Sequence, residues 1–197
     1  MTIQQIASKY SIVLASNSPR RKELLSGLDI PYSIVALPDV DESYPNTLAG
    51  EEIPLYISKK KSEAYLPFMK DDTLLITADT IVWLDGKVYG KPADTEDARQ
   101  ILKTLSGKMH QVITGVTIRT KEKEHSFAAV SDVTFASLTD EEIGYYLGKY
   151  HPYDKAGAYG VQEWIGYIGV ENIKGSYFNV MGLPIQRLYR ELIGFAG

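Results

Sequence analysis

The chain has 197 residues, a mass of 22.0 kDa and a formal net charge of −4 at pH 7. This length suits one domain, or two small lobes that share a core, and 44% hydrophobic residues argue against disorder and fibrous structure. The acidic balance makes general binding to nucleic-acid polymers a poor hypothesis. Because the chain has no cysteine, disulfides, thiol nucleophiles and cysteine-ligated zinc are excluded.

Nothing in the sequence predicts a membrane segment or a secretion signal. No apolar run approaches the roughly 20 residues that cross a bilayer, and the first ten residues lack the basic-then-apolar pattern of a signal peptide. We therefore expect a cytoplasmic protein with no membrane partner. The three histidines do not lie at metal-ligand spacing, so any metal is expected to be hard and oxygen-ligated.

The first half of the chain predicts strands and helices in succession. Residues 11–15 are an apolar run typical of a buried strand. A helix is predicted over residues 20–28, with Ser18 as its cap and Pro19 at its first position. The further elements predicted in this half are a strand at 34–37, a helix at 51–66, a long strand at 74–84 and a returning strand at 87–89. Asp85 and Gly86 between the last two are a strong hairpin signal.

The second half predicts the same mixture of elements. Thr139 and Glu142 form a capping-box pattern, which predicts a helix from there to residue 150. The other predicted elements are a helix at 94–105, paired strands at 111–119 and 126–136, a loop of small residues at 154–160 and a final helix at 185–192. Strands and helices without strict alternation indicate a mixed α/β or α+β fold.

Two arginines stand where a helix disfavours positive charge. If Ser18 is the cap, Arg20 and Arg21 lie in the first turn, where the helix dipole costs each cation a few tenths of a kcal/mol. A bound phosphate chain would remove this conflict, because the hydroxyl of Ser16, free backbone N–H groups and both guanidiniums would point at it. The alternative is that both arginines bend away into solvent.

Asp79 is a carboxylate within an apolar strand sequence. Burying it without a partner is costly, so it is expected to be hydrogen-bonded, metal-bound or catalytic, or else to cap a turn. The acidic loop that contains Asp39, Asp41 and Glu42 offers a second carboxylate for a magnesium-type ion. Solvated loop charge is the alternative.

Further candidates lie in loops and in a run of lysines. Lys91 follows the hairpin, and Lys155 lies in the small-residue loop, where the backbone can approach a ligand closely. Gln162 has an amide that suits a base edge, since it both donates and accepts. The alternative for Lys91, Lys155 and Gln162 is that each is an ordinary surface or turn residue. The lysine run at 59–61 cannot turn inward as a whole, because helical spacing separates its side chains.

Short motifs run through the chain in a characteristic order. They are LASNSPRR at 14–21, DVDE at 39–42, ADT at 78–80, GKP at 90–92, LSG at 105–107, TG at 114–115, DKAGAYG at 154–160, GSY at 175–177 and GLP at 182–184. Each motif alone is weak. The ordered set, from about residue 12 to the C-terminus, closely resembles the Maf family of nucleoside triphosphate pyrophosphatases.

The resemblance implies a fold and a reaction. The fold is that of the inosine-triphosphate pyrophosphatases (Maf/HAM1): two α/β lobes around a long mixed sheet, with the nucleotide in a central cleft and residues 1–197 as one domain. The reaction is hydrolysis between the α and β phosphates, which releases a nucleoside monophosphate and pyrophosphate, a house-cleaning role in nucleotide pools. It requires a divalent cation, Mg²⁺ or Mn²⁺. A homodimer is left open, because the family is often dimeric.

The resemblance also assigns roles to residues. Asp79 matches the catalytic acid/base position and a metal ligand, and Glu42 matches the acidic loop residue, a second metal ligand. The substrate-binding set is Ser16, Arg20, Arg21, Lys61, Lys91 and Lys155, in which Arg21 and Lys155 rest on their local sequence patterns. Arg20, Thr80 and Gln162 match the subgroup that acts on dTTP and UTP. The alternatives are the same reaction on 7-methyl-GTP or other nucleotides, and a non-enzymatic nucleotide-binding regulator of cell division.

Overall fold

A computed structural model describes residues 1–36 and 40–196 of the chain. Within these ranges it contains eight α-helices and seven strands. The helices are α1 Ile3–Lys9, α2 Pro19–Ser26, α3 Glu52–Tyr65, α4 Thr95–Leu105, α5 Asp140–Tyr150, α6 Trp164–Gly169, α7 Tyr177–Met181 and α8 Ile185–Ala196. The strands are β1 Ser11–Ala15, β2 Ser33–Val35, β3 Thr73–Leu84, β4 Lys87–Tyr89, β5 Met109–Arg119, β6 Glu124–Phe135 and β7 Val170–Lys174. Short 3-10 helices occupy Leu66–Phe68 and Ala156–Ala158.

The strands form a mixed sheet in the order β2-β1-β3-β5-β6-β7, and β4 pairs with β3. Strand β1 runs parallel to both β2 and β3. The pairs β3/β4 and β6/β7 are antiparallel. This confirms the predicted mixed α/β class. No helix in the described ranges is both long and apolar enough to span a bilayer.

The chain divides into two compact units. Unit 1 comprises Met1–Asp79, Thr114–Ala129 and Gly182–Gly197, and unit 2 comprises Thr80–Ile113 and Val130–Met181. Asp79 and Thr80 are therefore consecutive residues of β3 that belong to different units.

Unit 1 contains the parallel strands β1, β2 and the first part of β3. Ile12 stands beside Leu74 in the register of β1 and β3, and both side chains are buried. Helix α2 begins as predicted, because the Ser18 hydroxyl accepts a hydrogen bond from the backbone N–H of Arg21 and Pro19 takes the first helical position. Gly115 of β5 lies so close to α3 that an added Cβ would fall 2.3 Å from the carbonyl carbon of Pro54.

Unit 2 contains the hairpin and the capped helix that the sequence predicts. Asp85 and Gly86 have φ values of 51° and 77°, the left-handed conformation that a tight hairpin turn requires. Helix α5 begins with the capping box of Thr139 and Glu142. In the core of the unit, the buried His110 ring hydrogen-bonds the Tyr159 hydroxyl at 2.8 Å. Burial lowers the pKa of His110 to about 4, so this ring is a neutral packing residue at pH 7.

The structure corrects several predicted boundaries and adds elements. The predicted strand at 34–37 is Ser33–Val35, and Leu37 lies outside the described residues. The long strand includes Thr73, and β5 begins two residues before its predicted start. Helices α1, α6 and α7 and strand β7 were not predicted. The sequence did carry a signal for α1, because Thr2 and Gln5 form a second capping box.

Candidate active site

A buried lysine joins two carboxylates in unit 1. Asp79 on β3 is 8% exposed, and its Oδ1 accepts a hydrogen bond of 2.8 Å from Lys61 Nζ. Lys61 lies on α3 and is itself buried. The same ammonium lies 2.8 Å from Glu42 Oε1. The buried carboxylate that the sequence singled out is therefore ion-paired, as the cost of burying an unpaired charge requires.

Helical spacing separates the three lysines of α3, as predicted. Lys59 pairs with Glu124, and Lys60 pairs with Asp41, whose side chain is 71% exposed. Only the third of these lysines, Lys61, turns to Asp79. It is the member of the run that the family resemblance selected.

The acidic loop contributes one carboxylate to this cluster. Glu42 meets Lys61, whereas Asp41 is hydrogen-bonded to the backbone and hydroxyl of Ser43 and to Lys60. Those bonds, led by the Ser43 hydroxyl, lower the pKa of Asp41 to about 2. Asp39, also considered from the sequence, lies outside the described residues.

Arg21 is bonded to the backbone of its own unit. Its Nε donates to the carbonyl of Gly182 at 2.8 Å, and its Nη1 donates to the carbonyl of Ala78 at 2.9 Å. Burial lowers the pKa of Arg21, while the nearby Asp79 carboxylate opposes that shift. Through its hydrogen bond to the carbonyl of Ala78, Arg21 therefore stabilises the backbone next to Asp79. The sequence did not indicate this structural role, and direct substrate binding by Arg21 stays a prediction.

Ser16 and Arg20 lie in the stretch from the end of β1 to the first turn of α2. Ser16 directly follows β1 and is 2% exposed, and its hydroxyl accepts a hydrogen bond of 3.2 Å from the backbone N–H of Ser18. Arg20 is half-buried and close enough to Arg21 for their charges to interact. The ion pairs of unit 1 join Lys61, Asp79 and Glu42, and Ser16 and Arg20 belong to the same unit. Their roles in substrate binding stay predictions.

The donor set suits a magnesium-type cation that also binds phosphate. Asp79 and Glu42 already converge on one positively charged group, and hard divalent cations take carboxylate oxygens. Within residues 1–36 and 40–196, no cluster of three or more acidic or histidine side chains is arranged to hold a metal. Mg²⁺ typically uses one or two carboxylates together with water and substrate phosphates. Two carboxylates therefore fit such an ion.

In unit 2, two predicted lysines differ in their surroundings. Lys91 is exposed and follows Gly90, whose carbonyl accepts a hydrogen bond of 3.1 Å from the backbone N–H of Gly157. That bond joins the hairpin exit to the small-residue loop. Lys155 is buried instead, and its ammonium is ion-paired with Asp154. The structure gives Lys155 protein partners that the sequence did not predict.

The specificity candidates of unit 2 are Thr80 and Gln162. Thr80 is half-buried and directly follows Asp79 in β3. The Oε1 atom of Gln162 is buried and has no hydrogen-bond partner among the described residues. A buried acceptor without a donor is costly and calls for an explanation. A ligand that donates an N–H group to this oxygen would supply one.

Two residues that the sequence did not single out hold the segment next to Gln162. The hydroxyl of Tyr146, on α5, donates to Glu163 Oε2 and accepts a hydrogen bond of 3.0 Å from the backbone N–H of Gly160. Burial, aided by the Glu163 carboxylate, raises the pKa of Tyr146 and keeps its phenol protonated. The sequence signal that could have identified Tyr146 was its place on the apolar face of a predicted helix, because the hydroxyl of a buried tyrosine needs a hydrogen-bond partner.

Comparison with known proteins agrees with the motifs. The family model described as Maf-like protein matches residues 11–195. A protein of Bacteroides fragilis strain YCH46 named dTTP/UTP pyrophosphatase is 64% identical over 93% of this chain and 95% of its own length. Its namesake in Phocaeicola vulgatus is 65% identical over the same fractions. The namesake in Flavobacterium psychrophilum is 47% identical over 92% of this chain and 93% of its own length.

Two solved structures share the fold. The Ham1 protein of Staphylococcus aureus superposes with a TM-score of 0.54 at 18% identity, covering 94% of this chain and 99% of that one. A HAM1 protein from Coxiella burnetii gives a TM-score of 0.51 at 15% identity with the same coverage. At such low identity the likeness concerns the fold alone, and it confirms the predicted Maf/HAM1 fold.

Proposed function

The chain belongs to the Maf family, and we propose that it hydrolyses dTTP and UTP between the α and β phosphates. The products are the nucleoside monophosphate and pyrophosphate. The observation that carries the proposal is the buried Asp79, which shares one ammonium with Glu42. The names of relatives that are 64% and 65% identical over nearly the whole chain support the substrate class. The role that fits this reaction is the removal of unwanted nucleotides from the cellular pool.

Asp79 is the proposed proton acceptor. The oxygen of a water molecule attacks the α-phosphorus while Asp79 takes a proton from that water. The bond from the α-phosphorus to the bridging oxygen breaks, and pyrophosphate leaves with that oxygen. Arg20, Lys61 and Lys91 spread the negative charge that builds up on the leaving group. Positioned acid–base groups contribute about a hundredfold or more to such reactions.

Asp79 and Glu42 are the proposed ligands of a divalent cation, Mg²⁺ or Mn²⁺. Such a cation, when bound, screens the triphosphate charge and polarises the α-phosphorus. With such a cation held by the two carboxylates, Lys61 would be free to bind phosphate oxygens. Ser16, which directly follows β1, is the proposed hydroxyl donor to phosphate.

Gln162 is the proposed reader of the base, with Arg20 and Thr80 as the other specificity residues. Uracil and thymine donate from N3–H and accept at O4, which matches the oxygen and nitrogen of a glutamine amide. Cytosine has the opposite pattern, because it accepts at N3 and donates from its N4 amino group, so it pairs only with an amide in the reversed orientation. The buried, partnerless Oε1 supports this assignment. For Arg21 and Lys155 we propose roles that support the site through their protein contacts.

The deciding experiment measures pyrophosphate release from dTTP, UTP, CTP, the purine triphosphates and 7-methyl-GTP, with Mg²⁺ or Mn²⁺. We expect turnover of dTTP and UTP, and a loss of at least about a hundredfold in Asp79→Asn. Asp71→Asn is the matched control, since its carboxylate pairs on the surface with Lys121 and is 93% exposed. Near-normal turnover in Asp79→Asn would contradict the mechanism.

Other outcomes separate the alternatives. Turnover of 7-methyl-GTP or a purine nucleotide would keep the reaction and discard the base assignment. Metal-dependent nucleotide binding without any turnover would favour the regulator. Gln162→Ala is expected to reduce the preference for UTP over CTP. We propose that the protein acts in the cytoplasm, where nucleoside triphosphates are abundant. Whether it forms a homodimer would be tested by analytical sedimentation.

A further inference from the structure

A hydrogen-bonded network in unit 2 surrounds the residue after Gln162. Both oxygens of the Glu163 carboxylate are engaged: Oε2 accepts from the Tyr146 hydroxyl, and Oε1 lies 3.1 Å from Lys155 Nζ. Lys155 is also paired with Asp154 at 2.8 Å. The network thus ties helix α5, the small-residue loop and the start of α6 together. The proposed mechanism uses neither Tyr146 nor Glu163.

The side chain of Glu163 stands where a helix cap would be expected. Glu163 precedes α6 in extended backbone conformation, yet its side chain makes no capping hydrogen bond. It turns to Tyr146 and Lys155 instead. The Tyr146 side chain is fully buried, and the Glu163 side chain is 19% exposed. Glutamate is not among the residues that usually cap a helix, and the Glu163 carboxylate instead links Tyr146 and Lys155.

The segment that contains Gln162 leaves no room for a side chain at two nearby glycines. A Cβ on Gly160 would fall 2.8 Å from the carboxyl carbon of Glu163, and a Cβ on Gly166 would fall 1.8 Å from the carbonyl oxygen of Val161. Val161 is buried at 7% exposure. Gln162 therefore projects from a closely packed segment, and its Oε1 has no hydrogen-bond partner among the described residues.

We infer that Tyr146 and Glu163 are positioning residues that hold the amide of Gln162 for selection of the nucleobase. The inference deepens the proposed function and rests on it for the identity of the base. The two residues act through the backbone of 160–163 and do not touch the substrate. Loss of the Tyr146 hydroxyl removes the donor to Glu163 and the acceptor of the Gly160 N–H together. The backbone of residues 160–163 then becomes more mobile, and Gln162 discriminates less well between nucleobases.

Tyr146→Phe tests the inference, with Tyr145→Phe as the matched control. Tyr145 is the preceding residue of α5, is 47% exposed and contacts Lys149 through its hydroxyl. The substrates are UTP and CTP, which differ only in the base. We expect Tyr146→Phe to lower the ratio of kcat/KM for UTP over CTP by about tenfold, through a higher KM for UTP, with kcat changed less. Tyr145→Phe is expected to keep the wild-type ratio.

A double-variant cycle shows whether the effect passes through Gln162. In a Gln162→Ala background, Tyr146→Phe is expected to change the UTP-to-CTP ratio no further, because the reader is already absent. An equal fall in kcat/KM for both nucleotides in Tyr146→Phe, with the ratio intact, would indicate a structural role only and overturn the inference. Independent, multiplicative effects of the two variants on the ratio would overturn it as well.

A binding measurement separates this inference from the proposed reaction. Calorimetry with UMP and CMP reports base selection without any hydrolysis. Absent UTP turnover in the wild type, with a UMP preference that Tyr146→Phe lowers, would refute the reaction and keep the positioning role. Normal UTP turnover, with a UMP preference that Tyr146→Phe leaves unchanged, would keep the reaction and refute the positioning role. A wild type that binds UMP and CMP equally would refute the positioning role.

Discussion

Replacing Lys61 by methionine removes the cation that neutralises two carboxylates. The Lys61–Asp79 pair is buried, with side chains that are 6% and 12% exposed. Breaking a buried ion pair from one side costs about 3–5 kcal/mol, because the remaining charge is left uncompensated. The lower end applies here, since Glu42 is half-exposed and Arg21 also lies near Asp79. For a chain of this size, about 3 kcal/mol corresponds to a fall in Tm of about 6–12 °C.

Urea unfolding of Lys61→Met, with and without Mg²⁺, measures this effect. Lys60→Met is the control, because Lys60 pairs with an exposed aspartate, an interaction worth about 0–1 kcal/mol. We expect Mg²⁺ to raise the free energy of unfolding more in Lys61→Met than in the wild type, since the metal then has no ammonium to displace. A cation at a hundred times its Kd stabilises by about 2.7 kcal/mol. Equal stabilities of Lys61→Met and Lys60→Met without metal would refute the reasoning.

Three further predictions concern stability. Gly115→Ala is expected to destabilise the fold by about 1–3 kcal/mol, because the new Cβ meets the backbone of Pro54, whereas Gly148→Ala on the open face of α5 is expected to stabilise it by up to about 1 kcal/mol. Chemical denaturation of both variants checks the contrast, and a stable Gly115→Ala would contradict it. His110 is held neutral with a pKa of about 4, against 6.5 when unfolded. The unfolded chain therefore binds the extra proton, and the His110 contribution, roughly 3 kcal/mol, is present above pH 6.5 and lost as the pH falls toward 4. The difference between the free energies of unfolding of the wild type and His110→Gln, measured across this pH range, isolates that loss. Parallel pH profiles of the two proteins would disprove it. Thr139→Ala removes the cap of α5 and is expected to cost about 1 kcal/mol in thermal unfolding, whereas an unchanged Tm would count against the cap.

Local signals predicted the elements whose ends are decided by neighbouring residues. Ser18 with Pro19 marked the start of α2, and the Thr139 capping box marked the start of α5. Among the missed elements, α1 has a local capping box that was overlooked, whereas β7 and α6 have no such signal. Strand β7 is largely exposed and gains its hydrogen bonds from β6. Helix α6 contains glycines and β-branched residues, which disfavour a helix in isolation.

The residues of the candidate site likewise include some that the local sequence indicated and others that it did not. The apolar surroundings of Asp79 in the sequence indicated a carboxylate that needs a partner, and its partner Lys61 was named through the family resemblance. Spacing alone could not have identified the pair, because 18 positions separate the two residues. Tyr146 and Glu163 are separated by 17 positions and carry no motif that would link them. Contacts of this kind become visible only when the chain is folded.

The two glycines that flank Gln162 bear on how substrate range can be changed. Neither Gly160 nor Gly166 tolerates even a methyl group without moving backbone or a buried carboxylate. Insertions and deletions between them are therefore poor routes to a new preference, since they disturb the path of the chain. Replacement of the single side chain at position 162 leaves that path intact. For the base selection that we propose for Gln162, engineering is best begun with a saturation library at this one codon.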